Sequence, residues 1–325
     1  MPPLGYGHRM RPLLWFIAAI TVALLAATAL AYPAYEWIHP LHAAWRIDKI
    51  ASRLFDVFLL GAIVVVLRRL NLRGAPAWGW DVPLAKARHQ FVIGFALGIA
   101  TMLPVSLAMI GLGARSLDPA VDSLMVGRAL AAGLGSGLVV GLLEETLFRG
   151  LIQGAVTRSM PRPLMGILAV STLFASVHFL SSVHIAHENV TPESGYVLLA
   201  GTLAELTHPL GILDAFCALF GVGLLTGLAR EMTGNILFPA GLHAGWVMIM
   251  RTTIGVTVLP ASGPTAWLIS RHDGYTGWLV SGFIGLFLIA AVALKPRWPL
   301  WLRADRPSVG RRGQGFESHE RREIP

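Results

Sequence analysis

The sequence has few charged residues and a single cysteine. Asp, Glu, Lys and Arg together make up 14% of the 325 residues, whereas a soluble globular domain carries about 25%. The cysteine, Cys217, lies inside an apolar stretch and has no second cysteine with which to form an internal disulfide or a zinc–cysteine site. These absences exclude an ordinary soluble domain and a small disulfide-rich one.

Hydrophobic residues make up 54% of the chain and are clustered into long runs. A run of about 18 apolar residues is long enough to cross the hydrocarbon core of a bilayer, which is about 30 Å thick. The runs lie at about 13–32, 54–67, 90–113, 129–156, 164–182, 211–229, 235–258 and 276–294. We therefore predict an all-α membrane protein of about eight transmembrane helices, with a four-helix catalytic core.

This pattern divides the chain into four parts. Residues 1–127 hold transmembrane helices one to three and their connections, 128–258 hold core helices four to seven, and 259–300 hold the last transmembrane helix. Residues 301–325 are polar and rich in arginine, which predicts a disordered basic tail. The first run is longer than the apolar core of a signal peptide, so we expect it to be retained as a helix.

The positions of the basic residues predict the orientation in the membrane. Lys and Arg are enriched at the N-terminus, in alternate connections and in the C-terminal tail, although the first connection, with Arg46, Lys49 and Arg53, departs from this pattern. Cytoplasmic connections are the ones enriched in Lys and Arg. We therefore expect a multi-pass protein of the bacterial inner membrane with both termini in the cytoplasm. The net charge of +8 follows from this distribution and does not indicate nucleic-acid binding.

Three ionisable residues interrupt the fourth run. Glu144, Glu145 and Arg149 lie in the segment Leu142-Leu143-Glu144-Glu145-Thr146-Leu147-Phe148-Arg149. Ionisable groups at membrane depth are costly and are functional candidates by default. Glu145 and Arg149 are spaced i and i+4, which favours an ion pair on one helix. Glu144 has only Val140, Gly141, Leu147 and Phe148 at the corresponding positions, so it needs a partner from another helix.

Two histidines on other runs lie at the depth of Glu144. Glu144 is about 14 residues from Arg158, His178 about 16 from Arg162, and His243 about 13 from Arg230. At 1.5 Å per residue, these separations correspond to roughly 20–24 Å along each helix. Glycines recur every four residues before Glu145 and around His243, which permits close helix packing. We therefore predict that Glu144, His178 and His243 form one buried site.

A carboxylate and two imidazoles suit the hydrolysis of a peptide bond. The carboxylate can deprotonate water, and the imidazoles can orient that water or stabilise an oxyanion. The same set, Glu144, His178 and His243, can also hold a divalent metal such as zinc. The residues alone leave both a metal-bound and a metal-free, glutamate-dependent mechanism open, and only an H-E-x-x-H zincin site is excluded.

The motifs resemble those of the type II CAAX-processing endopeptidases and the Abi-type bacteriocin-processing or immunity proteins, a family of intramembrane metalloproteases. That family carries E-E-x-x-x-R, then F-x-x-x-H, then a histidine followed four residues later by Asn or Asp. Here the first motif is Glu144 to Arg149, the second is Phe174 to His178, and the third begins at His243. The resemblance covers about residues 128–250. The chain departs from the third motif because position 247 is Val.

The resemblance implies a role for each of these residues. Glu144 activates water, His178 positions it, His243 polarises the scissile carbonyl, and Glu145 and Arg149 form a structural pair. The implied activity is an intramembrane endopeptidase that cleaves a membrane-associated protein or peptide near the cytoplasmic leaflet, with membrane lipids as its other partners. The alternative, favoured by Val247, is a non-catalytic scaffold, immunity or transporter-like protein that retains the fold.

Overall fold

The computed structural model describes residues 11–42, 45–160, 162–180, 183–260 and 263–294. Within these ranges almost all of the regular secondary structure is helical. The helices are α1 (Arg11–Ile38), α2 (Ile47–Arg69), α3 (Gly74–Trp78), α4 (Leu84–Gly111), α5 (Ser123–Ser159), α6 (Pro163–Val177), α7 (Ser194–Ala204), α8 (Leu213–Thr233), α9 (Leu237–Val256) and α10 (Trp278–Leu294). Short 3₁₀ turns lie at His187–Asn189, Glu205–Thr207, Pro209–Gly211 and Ala266–Leu268.

Each predicted apolar run coincides with one of these helices, and the prediction of an all-α membrane protein is confirmed. Among the described residues, five helices, α1, α2, α4, α5 and α8, are long and apolar enough to cross a membrane. The apolar helices α6 and α10 are shorter, with 15 and 17 residues, and α9 is not among the five. A 15-residue helix is only about 22 Å long. The predicted count of eight transmembrane helices is therefore not confirmed.

Helix α9 lies between α4 and α5, and glycines bring the three backbones together. Gly133, Gly137 and Gly141 of α5 face α9, where an added Cβ would overlap the carbonyl oxygens of Met248, Ala244 and Ala240. On the other side of α9, Gly241 and Gly245 face the carbonyl oxygens of Phe91 and Phe95 in α4. The predicted small-residue stripes therefore act as helix-packing surfaces, and α9 is held in a fixed position.

The remaining helices pack around this central group. Helix α8 packs on α6 and α10, with Gly223 against Ser171, Gly227 against Ile167, and Gly221 against Ile284. Helices α1 and α2 form an antiparallel pair. The short helix α3 packs against the C-terminal part of α5, where the Trp78 backbone leaves no room for a side chain at Gly150.

The connections near the start of α5 and the end of α9 are joined by a short strand pair and a polar network. Strand β1 (Ser116–Leu117) pairs antiparallel with β2 (Thr257–Val258). The buried Arg115 donates to the Thr257 hydroxyl at 2.6 Å and to the Gly274 carbonyl at 2.5 Å, and burial lowers the pKa of its guanidinium. The Tyr275 hydroxyl lies 2.6 Å from the Ser106 hydroxyl, and burial raises the pKa of Tyr275 to about 12. These contacts fix the connection between α9 and α10.

The division at residues 127, 258 and 300 stays a prediction. The basic tail, residues 301–325, and both chain ends lie outside the described residues, so the tail's disorder and the cytoplasmic location of the termini also stay predictions.

The packing of α5 on α9 predicts that Gly137→Ala destabilises the protein. Its Cβ would overlap the backbone of Ala244, and overpacking of this kind costs about 1–3 kcal/mol. We expect a lower thermal unfolding midpoint in detergent, measured by tryptophan fluorescence. Gly127→Ala on the same helix is the matched control, because nothing lies within 4 Å of its added Cβ. Equal midpoints for the two variants would contradict the close approach of α5 and α9.

Candidate active site

The site is built around a π-helical segment in α5. The helix is α-helical over Ser123–Glu144, π-helical over Glu145–Gln153 and α-helical again over Gly154–Ser159. Wider π turns inside α-helices occur frequently at functional sites. Adjacent residues on a helix point about 100° apart, and Glu144 and Glu145 accordingly occupy different environments. Glu144 lines a cavity, whereas the Glu145 side chain is completely buried.

Glu145 contacts two cationic or basic side chains. Its Oε2 lies 3.4 Å from Arg149 Nε, and its Oε1 lies 3.0 Å from His243 Nδ1. Sequence spacing predicts the contact with Arg149 but not the one with His243, which depends on how α5 and α9 pack. The hydrogen bond to Glu145 orients the His243 ring, so that its other nitrogen, Nε2, points toward Glu144.

Arg149 is also buried and is held from three sides. Its Nε donates to the Thr226 hydroxyl of α8 at 2.8 Å. Its guanidinium carbon lies 4.5 Å from the centroid of the Phe174 ring and 5.8 Å from that of Phe148, distances at which cation–π attraction operates. Thr226 is a residue that sequence reasoning missed, because a threonine in an apolar helix carries no distinctive spacing signal.

His178 follows the last helical residue of α6. The predicted run extends to residue 182, but α6 ends at Val177. The His178 Nδ1 lies 2.7 Å from the Phe174 carbonyl oxygen, one of the orphan acceptors that every helix C-terminus leaves. Because a carbonyl can only accept, Nδ1 carries the proton and donates. In the neutral ring, Nε2 then keeps its lone pair, and it faces Glu144.

Glu144 lies between the two imidazoles. Its Oε2 is 3.9 Å from His178 Nε2 and 4.0 Å from His243 Nε2. Both separations are too long for direct hydrogen bonds. The Glu144 and His178 side chains are each 28% exposed, whereas His243 is 8% exposed. The structure thus brings together Glu144 of α5, His178 just after the end of α6, and His243 of α9, with His243 the most enclosed.

A cavity of about 580 Å³ opens from this group of side chains. Its walls are mainly apolar, with Val139 and Val140 of α5, Leu219 and Val222 of α8, and Val247 of α9. A volume in this range and a mostly apolar lining with a few convergent polar groups are typical of ligand and substrate sites. The cavity can therefore accept an apolar ligand beside the carboxylate.

Val247 occupies the place where the resembling family carries Asn or Asp, and it is 8% exposed. The neighbouring Trp246 also lines the cavity, but its indole N–H donates to the Thr101 hydroxyl at 2.9 Å. The indole is therefore engaged with α4 and does not replace the missing polar side chain.

The side chains, as they lie, do not fit a metal site. Among the residues that the structure describes, no group of three His, Cys, Asp or Glu side chains has the arrangement needed to hold a metal ion. Tetrahedral zinc with bonds of about 2.1 Å holds its ligand atoms about 3.4 Å apart. The 3.9 and 4.0 Å separations around Glu144 exceed that value.

Comparison with known proteins gives one match. The sequence model of the family described as Type II CAAX prenyl endopeptidase Rce1-like matches residues 127–249. No curated protein and no solved structure matches the chain. The matched region begins just after the start of α5 and ends within α9, so it contains Glu144, Glu145, Arg149, His178 and His243. Over these residues, the chain is similar to the Rce1-like family of type II CAAX prenyl endopeptidases, and the match supports the resemblance seen in its motifs.

Proposed function

We propose that the protein is an intramembrane endopeptidase in which Glu144 activates the attacking water. The observation that carries this proposal is the position of the Glu144 carboxylate, between the Nε2 atoms of His178 and His243 at the inner end of an apolar cavity. The family match over residues 127–249 supports a protease of the CAAX type. The substrate is a membrane-associated protein or peptide.

The separations around Glu144 suit a water molecule between the side chains. A water that donates both hydrogens in bonds of about 2.8 Å, at its own H–O–H angle of about 105°, joins groups about 4.4 Å apart. The Glu144–His178 distance of 3.9 Å is within about 0.5 Å of this value. Such a water donates one hydrogen to the Glu144 carboxylate and the other to the lone pair on His178 Nε2. Its oxygen lone pair then faces the cavity.

The reaction needs no residue beyond this group. Glu144 takes a proton from the water as its oxygen attacks the scissile carbonyl carbon, which gives a tetrahedral oxyanion. Glu144 then passes that proton to the amide nitrogen, the C–N bond breaks, and the amine leaves. The products are a carboxylic acid and an amine, and the proton is returned within the cycle.

His243 stabilises the oxyanion only if its Nε2 carries a hydrogen. Because its Nδ1 is hydrogen-bonded to Glu145 Oε1 at 3.0 Å, one proton must lie between these two atoms in addition to the hydrogen on Nε2. Glu145 therefore acts as a positioning residue.

The alternative function is a non-catalytic scaffold, immunity or transporter-like protein. Val247 is the observation that favours it, because the oxyanion then has His243 as its only side-chain donor among the described cavity-lining residues near Glu144. A scaffold requires the fold but not the carboxylate of Glu144.

Replacing the proposed base tests the two functions. We expect Glu144→Gln to abolish cleavage, a loss of about 10²-fold or more for a general base, without lowering the thermal midpoint, because Glu144 Oε2 has no hydrogen bond. The measurement is terminal-peptide proteomics of membranes from cells that express the wild type or the variant. Glu188→Gln, the same change at an exposed carboxylate outside the site, is the control. New N-termini that persist unchanged in Glu144→Gln cells would reject the mechanism and favour the scaffold.

Arg149 and Glu145 should behave as a stability pair. Arg149→Met leaves the buried Glu145 carboxylate without its cation, and breaking a buried pair costs about 3–5 kcal/mol. We expect a large fall in the thermal midpoint. Removing both charges in Glu145→Gln/Arg149→Met should restore much of that loss. A double variant no more stable than Arg149→Met would contradict the charge-pair account.

We expect Val247 to limit the rate of peptide cleavage, because its side chain cannot donate a hydrogen bond to the oxyanion. In Val247→Asn, an amide N–H one helical turn beyond His243 gives the oxyanion a second donor. Removal of such a donor elsewhere costs about 10²–10³-fold in rate, so we expect kcat to rise about tenfold or more. The assay uses a synthetic peptide that spans the most abundant cleavage site from the proteomics. Val247→Leu, which has no donor, is the control and should not accelerate the reaction. A rate for Val247→Asn no higher than for Val247→Leu would contradict this role for position 247.

A further inference from the structure

The cavity lies entirely to one side of the Glu144–His178–His243 group. On α5, every lining residue comes before or at Glu144, for example Ser136 and Val139, and none comes after it. On α9, every lining residue is His243 or a later one, up to Arg251. Because α5 and α9 are antiparallel, with Gly133 against Thr252 and Gly141 against Ala240, both displacements run in the same direction.

The cavity walls formed by other elements also lie toward the start of α5 and the end of α9. Helix α10 contributes Val280 from its first turn, and the α9–α10 connection contributes Asp273, Tyr275 and Thr276. We call the end of the bundle that carries this connection and the start of α5 the mouth face. Arg251 on α9 is eight residues beyond His243, so the mouth lies about 12 Å from the site along the helix.

The opposite end of the bundle, at the end of α5 and the start of α9, is covered. We call it the closed face. Here the α3 residue Trp78 packs its backbone on Gly150 of α5, and Gly79 packs on Ile236, which donates its N–H to the Gly79 carbonyl at 3.2 Å. No residue of this end lines the cavity.

The two faces differ in charge. The connections at the closed face are short and basic, and the residues that make them so are Arg68, Arg69, Arg73, Lys86, Arg88, Arg158, Arg162 and Arg230. The same face bears Arg11 at the start of α1, and the sequence continues after α10 with Lys295 and Arg297. Short connections enriched in Lys and Arg are cytoplasmic.

The mouth face has longer connections with many acidic residues: Asp118, Asp122, Glu188, Glu193, Glu205 and Asp273. It also has Lys and Arg residues, but fewer than the closed face: Arg46, Lys49, Arg53, Arg115, Arg128, Arg251 and Arg271. Of these seven, Arg115 is buried and hydrogen-bonded to Thr257 and Gly274. The closed face has nine in the described residues, and the sequence adds Arg9 before α1 and Lys295 and Arg297 after α10. The excess of Lys and Arg is therefore at the closed face.

We infer that the active-site cavity opens to the non-cytoplasmic side of the membrane. Resting on the proposed function, this assigns the substrate class: polypeptides whose scissile bond lies in the non-cytoplasmic half of the bilayer and that enter the cavity from that side. An extended segment advances about 3.3 Å per residue, so about four residues span the 12 Å from the mouth to Glu144. The apolar walls require those residues to be largely apolar. This assignment replaces the expectation of cleavage near the cytoplasmic leaflet.

Cysteine labelling tests the inference, and the single cysteine simplifies it. In a Cys217→Ser background, one new cysteine is introduced at a time: Ala120→Cys on the mouth face, Ala75→Cys on the closed face, and Ser136→Cys in the cavity wall. Ala75 and Ala120 are exposed alanines in connections and so form a matched pair. A membrane-impermeant maleimide is added to intact cells and, separately, to inverted membrane vesicles.

We expect labelling of Ala120→Cys and Ser136→Cys on intact cells only, and of Ala75→Cys in inverted vesicles only. The reverse pattern for Ala75 and Ala120 overturns the orientation. Labelling of Ser136→Cys from the Ala75 side, or from neither side, overturns the aqueous opening at the mouth. The readout requires no catalysis and is repeated with Glu144→Gln. A failed topology therefore leaves the catalytic proposal standing, and loss of the catalytic proposal leaves the labelling result unchanged.

Discussion

The buried carboxylate of Glu145 is the group on which the rest of the site depends. An ionised carboxylate without water costs several kcal/mol, and this one is offset by contacts with Arg149 on its own helix and His243 on α9. The same two contacts join α5, α8 and α9, since Arg149 also bonds to Thr226. The contacts that offset the buried charge of Glu145 are therefore the same contacts that fix α5, α8 and α9 relative to one another. Glu144, one residue earlier, is left free to face the cavity.

Backbone packing makes this constraint geometrically possible. His243 reaches Glu145 because glycines at four-residue intervals let α9 approach α5 and α4 without intervening side chains. The π-helical segment that begins at Glu145 then directs Glu145, Arg149 and Gln153 into the interior, where all three are buried. His178 is placed by a different device, the end of α6, where its own ring nitrogen bonds to the Phe174 carbonyl. The close packing of α9, the π-helical segment of α5 and the end of α6 thus together place the side chains around the Glu144 carboxylate.

The helices and the depth of the site residues could be predicted from the sequence. The contacts between side chains of different helices could not, because sequence spacing does not determine how helices pack. Apolar runs predict the helices well because length and hydropathy decide membrane insertion. The depth count places Glu144, His178 and His243 in one layer, and the structure brings them together. The hydrogen bond between Glu145 and His243 could not be predicted, because helix rotation about its own axis is set by packing. The hydrogen bond of Trp246 with Thr101 could not be predicted either, because it joins two helices that are far apart in the sequence.

Helix α9 and helix α10 are held in very different ways. The backbone of α9 lies in close contact with those of α4 and α5, so a shift or tilt of α9 toward either helix would bring carbonyl oxygens and neighbouring main-chain atoms too close together. Helix α10, by contrast, buries only Val280 and Ile284, and a Cβ added at Gly282 or Gly285 would meet no atom of another element within 4 Å. The bundle thus has a tightly packed part, α4, α5 and α9, which carries Glu144 and His243, and a more loosely packed helix, α10, beside it. A widening of the bundle that admits a chain from the surrounding lipid is therefore easier between α10 and α4 than between α10 and α8, where Gly221 packs against Ile284.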